Sequence, residues 1–122
     1  MALVLISHDL GVVAGLADRI LVMYAGRIVE SAGATQLFRR ARHPYTAELL
    51  KCIPSVTGPR WERLPNLPGQ PPQAGDSPAG CAFAPRCPRA AERCRSERPL
   101  LQEVADTHGP ARLVACHFPV LP

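Results

Sequence analysis

Lysine and aromatic residues are scarce in this chain. Its 122 residues include one lysine beside thirteen arginines, with one tryptophan, two tyrosines and three phenylalanines. A nucleic-acid surface gathers positive charge on one face and interleaves aromatics. Here the net charge of +4 is dispersed, +2 over 1–53, zero over 54–80 and +2 over 81–122, so no nucleic-acid partner is expected. No apolar run reaches the ~20 residues of a membrane-spanning helix, and direct insertion into a bilayer is not expected. Before the five apolar residues Ala2–Ile6 there is no basic residue, so a secretory leader is not expected either. Internal repeats and long blocks of like charge are also missing.

What the chain does have is an ordinary globular balance, 47% hydrophobic and 20% charged, in about one domain's length. Its fourteen prolines and nine glycines are unevenly placed. Residues 1–53 read as α/β. Ala2–Ile6 is a short continuous apolar run, the pattern of a strand buried on both faces of a parallel sheet. Ser7 or Asp9 then caps a helix over Leu10–Ala17. Arg19–Tyr24 and Arg27–Ser31 are β-prone runs joined at Ala25-Gly26, as in a hairpin. Ala34–Arg40 and Tyr45–Cys52 read as short helices separated at His43-Pro44, because proline disfavours helical geometry in the residue before it. Residues 54–80 hold seven prolines and four glycines and read as an extended linker or strap.

A strand of that buried kind needs neighbours on both sides, reached by crossovers of a dozen residues or more. This chain supplies one such strand, at its start. A partner completing the sheet, or membership in a longer protein, is therefore expected.

Residues 81–122 carry Cys81, Cys87, Cys94 and Cys116, with 5, 6 and 21 residues between them. Four thiols in 36 residues of a chain expected to stay in the cytosol point to a metal site before disulfides. Such a set suits a tetrahedral zinc or a four-iron cluster. Zinc knuckles usually pair their ligands as C-x-x-C, which is absent, and the wider gaps suit the larger cube. A segment this small commonly needs a metal staple, so the role expected of the site is structural. Cys52 reads as a core thiol, His117 as a neighbour of the ligand set, and His108 as a loop residue. His43-Pro44-Tyr45 reads as a helix-breaking turn.

The run ALVLISHDLGVVAGLADRILVMYAGRIVESA resembles the end of an ABC-transporter nucleotide-binding domain. Ser7-His8-Asp9 is similar to its switch-histidine segment and Tyr24–Glu30 to its closing hairpin. His43-Pro44-Tyr45-Thr46, Leu67-Pro-Gly69, Gly80–Cys87 and Val114–His117 resemble, in order, the C-terminal extension of ATP-binding subunits of bacterial oligopeptide and dipeptide importers. The resemblance implies an α/β fold: the truncated end of a nucleotide-binding domain over 1–33, a helical connection with the His-Pro-Tyr motif over 34–53, a Pro/Gly-rich linker over 54–80, and a small irregular Cys-rich extension over 81–122. It implies that His8 is the switch histidine, catalytic and in contact with the γ-phosphate of Mg-ATP. It further implies a head-to-tail dimer with a second ATP-binding subunit, permease subunits as membrane partners, and a cytoplasmic position against the inner face of the cell membrane. Some members bind a [4Fe-4S] cluster through this cysteine pattern, with zinc the second choice.

The departures matter for activity. A P-loop requires G-x-x-x-x-G-K-[ST], and Lys51 follows Leu50 and precedes Cys52. The transporter signature, the glutamine loop and the strand with the magnesium aspartate and catalytic glutamate are absent as well. A C-terminal portion, with Met1 as an internal start, is expected to be inactive in ATP hydrolysis by itself. The other reading of the same residues is a free-standing four-cysteine metal-binding interaction module. It requires residues 54–122 to fold with metal and residues 1–53 to be dispensable.

Overall fold

The computed structural model describes residues 1–53, 67–106 and 109–121. Residues 54–66 of the expected linker, and His108, lie outside them.

Strands β1 (Arg19–Tyr24) and β2 (Arg27–Gly33) form the expected hairpin, from Arg19 opposite Gly33 to Tyr24 opposite Arg27. Ala25 and Gly26 have φ of 48° and 75°. Two successive left-handed residues give the turn whose twist matches that of the strands it joins. Along β1 alternate side chains go inward, so Ile20, Val22 and Tyr24 are buried while Leu21 and Met23 are exposed.

Asp9 caps α1 (Leu10–Ala14), its carboxylate accepting the N–H groups of Gly11 and Val12 at 2.8 and 3.3 Å. The helix stops three residues short of the expected Ala17, with Gly15 at its C-cap. Helices α2 (Ala34–Arg39) and α3 (Pro44–Lys51) follow the hairpin. Pro44 opens α3 at the position where its missing N–H costs nothing.

The second half of the chain differs from the irregular extension expected over 81–122. A 3-10 turn (Ala84–Arg86) and α4 (Glu92–Ser96) lead to β3 (Gln102–Val104) and β4 (Arg112–Val114). β4 pairs antiparallel with β2, Glu30 opposite Val114, and β3 pairs with β4, giving one sheet in the order β1-β2-β4-β3. Phe83 is buried in the same core as the hairpin residues Ile20, Val22 and Tyr24 and as Leu37 of α2. Residues 67–80 run as a strap without helix or strand. Arg86 Nε donates to the Pro68 carbonyl at 3.0 Å and Arg98 Nη2 to that of Pro78 at 2.9 Å.

The buried parallel strand expected at Ala2–Ile6 is not formed. These residues are exposed and join no ladder, and every strand pair among the described residues is antiparallel. A strand forms only where another offers its N–H and C=O groups. Among the described residues no helix is long and apolar enough to cross a membrane.

Candidate functional site

His8 sits in an exposed bend before α1, beside the Ser7 hydroxyl that accepts the Asp9 N–H at 3.0 Å. The local geometry is that of a helix cap.

The four cysteines of the second half converge on one cavity. Cys81 and Cys94 are joined through the backbone, the Cys81 N–H donating to the Cys94 carbonyl at 2.7 Å. Gly80 permits this approach, since a Cβ there would lie 2.3 Å from the Cys94 carbonyl oxygen. Tight turns set Cys87: the N–H groups of Ala84, Cys87 and Ala90 reach back to the carbonyls of Cys81, Ala84 and Cys87. Cys116 follows β4, anchored beside β2 by the Ala115 N–H, which donates to the Val29 carbonyl at 2.8 Å. The resulting cavity is narrow, about 10 Å³, and Cys81, Cys87, Cys94, Cys116, His43 and His117 all line it.

Burial pushes the thiols of Cys81, Cys87 and Cys116 up, that of Cys116 to about 11, and the neighbouring cysteines add to the effect. Backbone N–H groups aimed at the sulfurs oppose it: those of Phe83 and Ala84 at Cys81, Arg89 at Cys87 and Phe118 at Cys116. Donors pointed at sulfur stabilise its anionic form. None of the four is in a disulfide. Among the described residues, however, no group of three or more His, Cys, Asp or Glu side chains is set to hold a metal ion. The expected zinc or [4Fe-4S] site is therefore not shown: the four thiols line one cavity, and no ligand geometry among the described residues closes on one point.

Behind the cavity lies a polar core that the sequence reading missed. The Glu30 carboxylate, fully buried, accepts the N–H groups of Arg42 and His43 at 2.9 and 3.0 Å. Arg112 pairs with Glu30 at 3.3 Å and with Asp106, and also donates to the Arg40 carbonyl. Arg42 ties in the end of the chain, donating from Nη1 to Val120 at 2.8 Å and from Nη2 to Ala105 at 3.2 Å. In sequence these charges look like any solvated strand or loop residue, and nothing local marks them as buried. His43 is buried at the start of α3, where its Nδ1 accepts the Tyr45 N–H at 3.1 Å. Burial depresses its pKa to about 4, against a weaker upward effect of the Ala115 carbonyl. His117 Nε2 lies 2.9 Å from the Glu97 carbonyl oxygen.

Residues 29–94 match the family model of the oligopeptide/dipeptide transporter C-terminal region. Over 120 residues the chain is 48% identical to the dipeptide transport ATP-binding protein DppD of Escherichia coli K12, covering 98% of this chain and 35% of that protein. It is 50% identical over 104 residues to the oligopeptide transport ATP-binding protein OppD of Mycobacterium tuberculosis H37Rv, 85% of this chain and 17% of that one. With the probable peptide ABC transporter ATP-binding protein y4tR of Sinorhizobium fredii the identity is 47% over 110 residues, 90% of this chain and 33% of the relative. The chain therefore spans about a third or less of the length of these relatives.

Proposed function

The chain belongs to the oligopeptide/dipeptide transporter C-terminal region family, and from that premise we propose that it acts as the C-terminal part of the energy-coupling, ATP-binding subunit of a peptide importer. The observation that carries this reading is the 48% identity to a dipeptide transport ATP-binding protein across 98% of the chain. In this reading residues 1–33 end the nucleotide-binding domain, 34–53 connect, 54–80 link, and 81–122 form the Cys-rich extension. The apolar run at Ala2–Ile6 then finds its sheet in the part of the relatives that this chain does not cover. His8, at the mouth of that strand, would orient water and donate to the γ-phosphate of Mg-ATP, since phosphoryl transfer is mostly positioning and charge stabilisation. The working unit is a head-to-tail pair of such subunits beneath two permease subunits on the cytoplasmic face. The 122 residues contain no P-loop pattern and should not hydrolyse ATP unaided.

Cys81, Cys87, Cys94 and Cys116 would hold the group at the extension, a [4Fe-4S] cluster first and zinc second. Support comes from four thiols on one cavity with N–H donors at three of the sulfurs. Such a group would supply a cross-link between three stretches of chain. The free-standing module reading fares less well, because β4 pairs with β2 and Phe83 shares the hairpin's core, so residues 1–53 are not dispensable to the second half.

A replacement experiment tests the main proposal. This chain is put in place of the corresponding third of the Escherichia coli dipeptide protein, and dipeptide uptake and ATP turnover are measured. Uptake should be retained, and His8→Ala should cut ATP turnover roughly a hundredfold, the scale of one lost transition-state hydrogen bond. A folded hybrid without uptake would overturn the transport role, and unchanged turnover in His8→Ala would overturn the switch role. Anaerobic iron, sulfide and zinc analysis of the 122-residue chain tests the cysteine site, which falls if no metal is held.

A further inference from the structure

Two of the four cysteines are bound to each other through their main chains. The Cys81 N–H donates to the Cys94 carbonyl at 2.7 Å, and Gly80 lets the two stretches touch, since a Cβ there would lie 2.3 Å from the same oxygen. In a strand pair, hydrogen-bonded partners have Cα atoms about 5.5 Å apart. A disulfide spans about 4.4–6.8 Å between Cα atoms. The bond between Cys81 and Cys94 holds them at that range. Both side chains line the same cavity, and the charge that the Cys94 sulfur would carry acts on Cys81. Both thiols are free. A metal needs three or more ligands on one point, which the described residues do not offer, whereas a bridge needs only two sulfurs.

We propose that Cys81 and Cys94 are a reversible dithiol–disulfide pair, oxidised by a peroxide. Cys81 is half-buried and Cys94 buried, so the Cys81 sulfur meets the oxidant first. It attacks one peroxide oxygen: an S–O bond forms, the O–O bond breaks, and the departing hydroxide leaves as water with the thiol proton. The Cys94 sulfur then attacks the sulfenic sulfur. The S–S bond forms, the S–O bond breaks, and a second water carries off the remaining proton. Two thiols are oxidised by two electrons in all, and one peroxide is reduced to two waters. Burial pushes the Cys81 thiol up, which slows the first step at neutral pH. The bridge would tie the 3-10 turn to α4 without a metal. A bound metal would occupy the same sulfurs and keep them reduced, so the bridged state belongs to the metal-free chain.

The test uses the 122-residue chain, stripped of metal by a chelator, reduced, and treated with a slight excess of hydrogen peroxide at mildly alkaline pH. The intact mass should fall by two hydrogens, and dithiothreitol should restore it. Peptide mapping without reductant should place the link between Cys81 and Cys94. The double variant Cys87→Ser/Cys116→Ser should bridge as wild type does, and Cys94→Ser should gain oxygen at Cys81 in place of the link. A main link between any other two cysteines, or added oxygen with no link in the wild-type chain, overturns the inference. Mapping of the wild-type chain decides even if a variant fails to fold. A chain that holds no iron or zinc and still bridges leaves this inference standing while the metal reading falls. A chain that holds metal, and once stripped does not bridge, overturns this inference alone.

Discussion

At the residue scale, the second half of the chain is tied to the first by charges that water does not reach. Arg112 is 1% exposed and Glu30 fully buried, and the pair also meets Asp106. Removing one member of such a group leaves an uncompensated buried charge, which typically costs about 3–5 kcal/mol. Arg112→Met should therefore lower the free energy of unfolding by about that amount in urea titrations. Glu30→Gln in the same chain should recover part of the loss, because it removes the charge left behind. His43 adds a pH dependence. Its pKa is about 4 in the folded state against 6.5 when exposed, so between these values the unfolded chain binds more protons. Stability should be fully present above pH 6.5 and be lost as pH falls toward 4, by roughly 3 kcal/mol from this group. Tyr45, Phe83, the Ala115 carbonyl and the cavity cysteines surround the ring, and the one carboxylate at this residue, Glu30 on its backbone N–H, is already paired with Arg112. Unfolding of the chain at pH 7 and pH 4 checks this, with His43→Asn expected to flatten the difference. Neither Arg112 nor His43 could be identified as buried from neighbouring residues, since burial here depends on partners 13 to 82 positions away.

At the element scale, much was legible. The hairpin, the cap before α1 and the break at Pro44 all follow from local steric rules, and each forms. The excess length expected of α1 had a local cause too, in Gly15 at the point where the helix ends. The contact between Gly80 and α4 was not legible. A methyl group at Gly80 would meet the Cys94 carbonyl oxygen at 2.3 Å and Arg95 backbone atoms at 2.5 Å, so backbone must shift to admit it. Overpacking of this kind costs about 1–3 kcal/mol. Gly80→Ala should show that loss in thermal unfolding. The Cys81 N–H to Cys94 bond is the first to be strained, so the amide of Cys81 should lose hydrogen-exchange protection in the variant.

At the scale of the whole molecule, the four-stranded sheet joins ends of the chain that composition had divided. β2 has β1 on one side and β4 on the other. Ending the chain at residue 53 would bare one edge of β2 and take Phe83 and Val114 from the core. An uncovered edge templates association. The 53-residue piece should therefore lose the cooperative thermal transition and elute as aggregate in size-exclusion chromatography. A piece that stays monomeric and melts cooperatively would show that the hairpin and its helices are sufficient alone.

The sequence by itself determined the elements that rest on steric rules a few residues long, and the order of motifs that ties this chain to peptide-importer subunits. It also placed four cysteines within 36 residues of the second half. Tertiary structure alone decided that β4 lies beside β2 and that His43 faces the same cavity as the cysteines. It also decided that Glu30, Arg42 and Arg112 are interior residues and that Ala2–Ile6 finds no strand to pair with. The physical reason is the range of the forces involved. Caps, turns and helix breaks are settled by neighbouring dihedrals, whereas strand pairing, ion burial and a shared cavity depend on which distant segments meet.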